Sequence, residues 1–334
     1  MTGASPSERS QAASPSPAGA VVSHVADLTY RGYDGPLYAR SFRWRVVALS
    51  ILRSALRKPA FWLLAAASTI PHLFVVFQVF MSSLMPAGAS RENPFLGSGV
   101  GSKYALYFHQ AITSQSFFWL FLLALLVGAG SIAADNRANA LLVYLSKPLT
   151  KTDYLVGKWA GLFATLALVT VGPALLLYVY CLFTFQSEGF LREEPLLIVR
   201  LLGAALVPPI VHASLLLGFS AWNRSPAVAG ACYAGVYFVS FVAAMTAWGV
   251  LHRGDFAKGV LVRHLSVAGA IDGTVQNILG VGIRVMKWQR RQGPTWIELQ
   301  PPDFAVVLLL ALGLAVAGVV AARLRIRAVE VVRG

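Results

Sequence analysis

Charge is scarce in this chain. Only 13% of its 334 residues are Asp, Glu, Lys or Arg, about half the share of an ordinary soluble domain. That excludes a water-soluble globular fold for the chain as a whole. Cysteine is scarcer: Cys181 and Cys232 stand alone, both inside apolar runs. Such a pair provides neither a disulfide framework nor metal-ligand spacing, so no metal site is expected. Acidic residues number 14 against 28 basic ones. The excess does not point to nucleic acid, because the basic residues sit at the edges of apolar runs. No zinc-finger spacing and no basic region with heptads accompanies them.

Catalytic signatures are missing too. The chain has no H-E-x-x-H and no G-x-S-x-G elbow. Gly157-Lys158 lacks the earlier glycine and the following Ser or Thr of a Walker A loop. No catalytic residue is expected, and no ATP bound through a P-loop. The first twenty residues, "MTGASPSERSQAASPSPAGA", are rich in Ser, Pro and Ala without periodicity, and residues 1–36 are expected to be a disordered tail. No apolar core follows within thirty residues to make a signal peptide.

Apolar residues are abundant, 57% of the chain, and they concentrate in six runs, at about 61–81, 117–134, 159–185, 196–222, 227–251 and 304–322. Each is about the length that crosses a hydrocarbon core of ~30 Å. In lipid every backbone polar group needs an internal partner, so the runs read as helices. The expected fold class is an all-α integral membrane protein, with a six-span domain over 59–334.

An even number of spans puts both termini on one side, and the positive-inside rule chooses that side. With cytoplasmic termini, the short inward segments hold fifteen basic residues, among them Arg53, Arg57, Arg137, Lys151, Lys158 and Arg323. The other side holds ten, offset by acids that include Glu92, Glu188, Asp272 and Glu298. A cytoplasmic location for the termini follows.

Two segments flank the spans with patterns of their own. In "LYARSFRWRVVALSILRSALRK" a helical wheel gathers Arg43, Ser50, Arg53, Ser54 and Arg57 on one side. Phe42, Trp44, Leu49, Ile51, Leu52 and Leu56 fall on the other. A basic amphipathic helix beside a span lies in the interface plane, against membrane lipids, and residues 37–58 are read so. Before the last span, Leu261, Leu265, Ala268, Ile271, Val275, Ile278 and Ile283 recur near helical spacing. The glycines at 269, 273, 280 and 282 make a poor lone helix. An amphipathic or re-entrant outer element is expected here.

Within the spans His72, Gln78 and His212 are polar groups at membrane depth, serving either packing or a polar pathway. Gly172-Pro173 and Pro208-Pro209 should bend the third and fourth spans. Ala231 and Gly235 form a small-xxx-small face that permits close helix contact.

The stretch "DNRANALLVYLSKPLTKTDYLVGK", Asp135 to Lys158, is too polar to cross a bilayer. Helical content continues to Pro148, which pushes the preceding residue out of helix. Thr150 with Asp153 then offers a capping box for the returning helix. Leu142, Tyr144, Leu145 and Tyr154 give this cytoplasmic projection an apolar centre, rimmed by Arg137 and Lys151. The only other inward loop, Asn223-Arg224-Ser225, is tiny. Docking onto another chain is expected rather than packing at home.

The acidic residue after the second span, the "LLVYLSKPLTKTDYLVGK" pattern and the six-span layout resemble the permease subunits of ABC-2-type exporters. The resemblance implies that this segment is the helix–turn–helix contacting the ATPase subunit. Asp135, Arg137, Leu142, Tyr144, Leu145, Ser146, Pro148, Thr152, Asp153 and Tyr154 would carry that contact. It implies an elbow helix at 38–58, with Arg43, Arg53 and Arg57 on its basic side, and re-entrant outer elements before the last span. The permease would bind no cofactor directly, since ATP and Mg sit on the partner ATPase. A second permease subunit, identical or related, would complete the pump in a bacterial cytoplasmic membrane. A multipass enzyme acting on lipid-linked groups and an envelope scaffold are the competing functions. The sequence names no substrate.

Overall fold

The computed structural model describes residues 42–84, 101–140, 149–251, 259–289 and 293–326. The tail expected at 1–36 lies outside them. Six helical stretches among the described residues are long and apolar enough to cross a membrane, and the chain is an all-helical membrane protein apart from one hairpin.

The first span, Pro59–Ser83, is two helices, α2 (Pro59–Ser68) and α3 (Ile70–Ser83), joined at Thr69. Lys58 precedes Pro59 and is extended, with ψ 124°, as the proline ring demands of the residue before it. That residue separates α2 from α1 (Arg43–Leu56). Trp62 Nε1 closes the corner, donating to Leu56 O at 2.8 Å.

Helix α1 is the expected amphipathic element, but its faces differ from the wheel. Trp44, Val47, Ala48, Ile51 and Ala55 turn inward, whereas Phe42, Val46 and Leu49 are exposed beside Arg45 and Arg53. Phe42 and Leu49 therefore move to the outer face, and Arg43 is half-buried. The cause is a close crossing with α7 (Lys151–Thr184). A Cβ at Gly157 would stand 2.6 Å from Val47 Cβ, and one at Gly161 would stand 2.8 Å from Ala48 O. This G-x-x-x-G face permits the backbone approach. By contrast, a Cβ at Gly235 would meet nothing within 4 Å, and Ala231 is exposed. The small-residue pair singled out in sequence makes no close contact within the chain.

The second span runs Lys103–Arg137, well before the expected start at 117. It comprises α4 (Lys103–Ser114), a π-helical turn (Gln115–Leu120), α5 (Phe121–Gly128) and α6 (Ala133–Arg137). Polar His109, Gln115 and Ser116 hid the early start, but all three are buried. The third span is α7, begun by the expected capping box. Thr150 Oγ1 accepts from Asp153 N at 3.0 Å, and Thr150 N donates to Asp153 Oδ2 at 3.3 Å. Pro173 has no N–H for the Val169 carbonyl. Gln115 Nε2 supplies the missing donor at 3.0 Å.

After a four-residue helix, α8 (Phe190–Glu193), come α9 (Leu197–Trp222) and α10 (Pro226–Leu251), the fourth and fifth spans. Helix α9 is the most enclosed of the six. The segment before the last span holds α11 (Val260–Arg263) and α12 (Val267–Leu279), then strands β1 (Ile283–Gln289) and β2 (Gly293–Leu299). The strands pair antiparallel from Ile283↔Leu299 to Gln289↔Gly293. Ile283 thus belongs to a strand and not to the helical repeat.

Helix α12 is packed among α4, α9, α10 and α13 (Phe304–Arg325), the sixth span. Tertiary contact overrides its poor propensity. A Cβ at Gly273 would come within 2.8 Å of the His264 ring and 3.0 Å of Pro302 and Val307. Glycine is what lets the helix seat there.

Candidate functional site

Alternation of the spans puts residues 135–140 and 149–158 at one end of the bundle and α11, α12 and the start of α4 at the other. At the first end α6 carries Asp135 to the base of α7. Lys158 Nζ lies 2.7 Å from Asp135 Oδ2 and donates to Ser131 O at 2.6 Å. Tyr154 donates its hydroxyl to the same Oδ2 at 2.6 Å, and its ring lies 5.4 Å from the Lys158 ammonium. Lys158 is 8% exposed and Tyr154 is fully buried. This is a charge pair with its hydrogen bonds largely met, the condition under which burying ions is tolerable.

The end of the second span is also tied to α9. Ser220 Oγ accepts from Ile132 N and Ala133 N, both at 2.9 Å, and donates to Ala129 O at 2.9 Å. Asn136 Nδ2 donates to Ala221 O at 3.0 Å and Asn223 O at 3.1 Å. Asn139 then takes a left-handed φ of 51°, a conformation Asn tolerates better than most residues. At Asn136 the start of the segment therefore does meet the tiny 223–225 loop, through the Asn223 carbonyl.

The ten residues assigned to this segment divide accordingly. Leu142, Tyr144, Leu145, Ser146 and Pro148 lie outside the described residues. Arg137 and Thr152 are exposed. Asp153 is held in the capping box. Asp135 and Tyr154 face inward on Lys158 and hold the base of the segment. Tyr154 offers no aromatic surface here, because its hydroxyl has a buried carboxylate to satisfy. Of the elbow residues, Arg53 and Arg57 are exposed.

The three polar residues at membrane depth do not form one site. His212 Nδ1 lies 2.5 Å from the Tyr233 hydroxyl of α10, beside Tyr237. His72 and Gln78 are buried on α3, which packs against α4 and α7. Neither ring nitrogen of His72 has a hydrogen-bond partner among the described residues.

A polar cluster at the far end went unread in sequence. Asp272 of α12 accepts from His109 Nε2 of α4 at 2.9 Å and from Gln276 Nε2 at 2.9 Å. His109 is on Oδ1 and Gln276 on Oδ2, and Arg263 and His264 also approach Oδ2, at 3.5 and 3.6 Å. Burial acts to raise the Asp272 pKa, but the His109 and His264 hydrogen bonds and the Arg263 charge outweigh it. The carboxyl is held well below the ordinary range. Nearby, the Tyr237 hydroxyl donates to Phe117 O in the π-helical turn at 3.1 Å. Such turns often mark functional positions. The available signal was His109 itself, a histidine inside a helical apolar pattern. Among the described residues no group of three or more His, Cys, Asp or Glu is placed to hold a metal ion.

Six apolar helices and an amphipathic helix braced on the third span are those of a multi-pass membrane protein. A family model for ABC-2 family transporter proteins matches residues 46–256, and the chain belongs to that family. It is an ABC-2-type permease, and membership implies partnership with an ABC ATPase. A search of curated proteins finds no match to the chain.

Proposed function

We propose that the chain is the membrane subunit of an ATP-driven exporter and receives its work through residues 135–158. A separate ATPase binds ATP and Mg, and the permease itself is not an enzyme. Two permease subunits and two ATPases make up the pump, with both permease termini in the cytoplasm of a bacterial cell and α1 lying against membrane lipids.

The observation that carries this reading is the Asp135–Lys158–Tyr154 clamp. It joins the last turn of the second span to the first turns of the third, across the base of the segment. Movement imposed on residues between 137 and 150 would be delivered to two spans and, through α7, to α1. A conformational bias of this kind requires that the ATPase contact the two states differently.

The test uses the permease reconstituted in lipid vesicles with its partner ATP-binding-cassette ATPase. ATP hydrolysis should be faster with the permease than with the ATPase alone. Equal rates would contradict the coupling.

A further inference from the structure

A cavity of about 380 Å³ opens between the second span, α10 and the segment preceding the last span, at the end of the bundle away from Asp135. It falls in the range of small-molecule sites, about 300–1,000 Å³. Its walls are of two kinds. Phe117, Phe241 and Met245 give apolar surface, with the two rings 4.8 Å apart. Arg263, Asp272 and the hydroxyl residues Thr113, Ser114 and Ser116 make the remainder polar.

The charged part of the polar wall is the pair Arg263 and Asp272, and the two are not equally engaged. Asp272 has His109 on Oδ1 and the Gln276 amide on Oδ2, with Arg263 and His264 at 3.5 and 3.6 Å from Oδ2. The Arg263 guanidinium beside this carboxylate repels a cationic ligand. Arg263 is the less engaged of the two. Among the described residues its guanidinium has one long contact, 3.5 Å to Asp272, and lies 5.8 Å from the Trp248 ring. Its side chain is only 22% exposed, so most of its five donors are partly withdrawn from water without an acceptor among the described residues. A fork of that kind matches a carboxylate or phosphate in two-point contact.

We propose that this cavity binds an amphiphile with an acidic headgroup. The carboxylate or phosphate sits on Arg263 and the chain lies along Phe117, Phe241 and Met245. Met245 adapts to variation in the chain, and the π-helical turn at Gln115–Leu120 forms part of the wall. An acidic amphiphile has two sources, a lipid of the surrounding bilayer or the exported cargo. The second source rests on the pump reading above; the first does not.

The experiment reads binding on the full chain in phosphatidylcholine nanodiscs, without ATPase, using radiolabelled dodecanoate at alkaline pH. Dodecanol and dodecyltrimethylammonium serve as competitors of equal chain length. Saturable binding above empty discs is expected, with dodecanol competing about tenfold less well than the acid and the ammonium amphiphile not at all. Arg263→Gln should bring the affinity for dodecanoate down to that for dodecanol and leave dodecanol unchanged. Met245→Trp, which fills the apolar end, should weaken both. Absence of saturable binding, or equal competition by the ammonium compound, overturns the proposal on the native chain alone. An unchanged preference for acid over alcohol in folded Arg263→Gln overturns it as well.

Adding phosphatidylglycerol to the discs identifies a bilayer lipid as occupant if it displaces dodecanoate. Stimulation of ATP hydrolysis by dodecanoate in the assembled complex identifies cargo. Because occupancy is read without the ATPase, failure of binding leaves the pump reading standing, and failure of coupling leaves the site standing.

Discussion

Lys158 of the third span lies 2.7 Å from Asp135 of the second, and both side chains are largely withdrawn from water, at 10% and 17% exposure. Removing one partner of a buried pair strands the other, at a cost of about 3–5 kcal/mol. Asp135→Asn or Lys158→Met alone should therefore lower thermal stability in detergent markedly. The double variant should recover much of the loss, since no charge is then left unpaired. Losses that simply add in a double-mutant cycle would show that the two residues are not coupled.

The crossing of α1 and α7 gives a second prediction. Gly161→Leu places a side chain where the Ala48 backbone now lies, so α1 must lift away. A single cysteine at Val47, in a variant without the native pair, should react slowly with a thiol reagent in the native background and quickly beside Gly161→Leu. Equal rates would mean that α1 is not seated on α7.

Asp272 predicts a pH dependence. Its folded pKa is depressed, so between the folded and unfolded values the unfolded chain binds more protons. The contribution to stability is full above the unfolded carboxylate value of about 3.9 and declines as pH falls from there toward the folded value. The stability difference between the native chain and Asp272→Asn should accordingly be flat from neutral pH down to about 4 and shrink below it. A difference that disappears nearer neutrality would contradict the assignment.

Topology is the fourth prediction. After replacement of Cys181 and Cys232, single cysteines at Ser10, Thr150 and Gly334 should be shielded from an impermeant thiol reagent in intact cells. Those at Ser90 and Gln292 should be labelled. Labelling at Thr150 with shielding at Gln292 would reverse the orientation taken from the charge distribution.

What was legible in the sequence had local causes. The six spans were visible because about twenty apolar residues in a row have few other uses. The start of α7 was visible because Thr150 and Asp153 are three positions apart. The early start of the second span was hidden because Gln115 and His109 look wrong for lipid until their partners, Val169 O and Asp272, are known. Helix α12 was doubted on its glycines because Gly273 is explained only by residues it meets in space. Ile283 falls in step with the helical repeat before it, which conceals the hairpin. Asp135 and Tyr154 lie in one short polar motif, and a one-dimensional pattern cannot say which of its polar residues face inward.

In the proposed pump, residues between Asp135 and Lys158 receive the ATPase, with Tyr144 and Leu145 at the centre of the contact. Truncating both to alanine should cost about 2–4 kcal/mol of association, the range of an interface hot spot, and each 1.4 kcal/mol is about tenfold in affinity. Lys151→Ala at the rim should change little beyond salt sensitivity. The measurement is recovery of the ATPase on tagged permease, normalised to permease in the membrane. Recovery is expected to fall by more than about tenfold for the Tyr144→Ala, Leu145→Ala pair, with membrane insertion unchanged. Equal recovery for the native chain and the double variant would contradict the docking role of this segment.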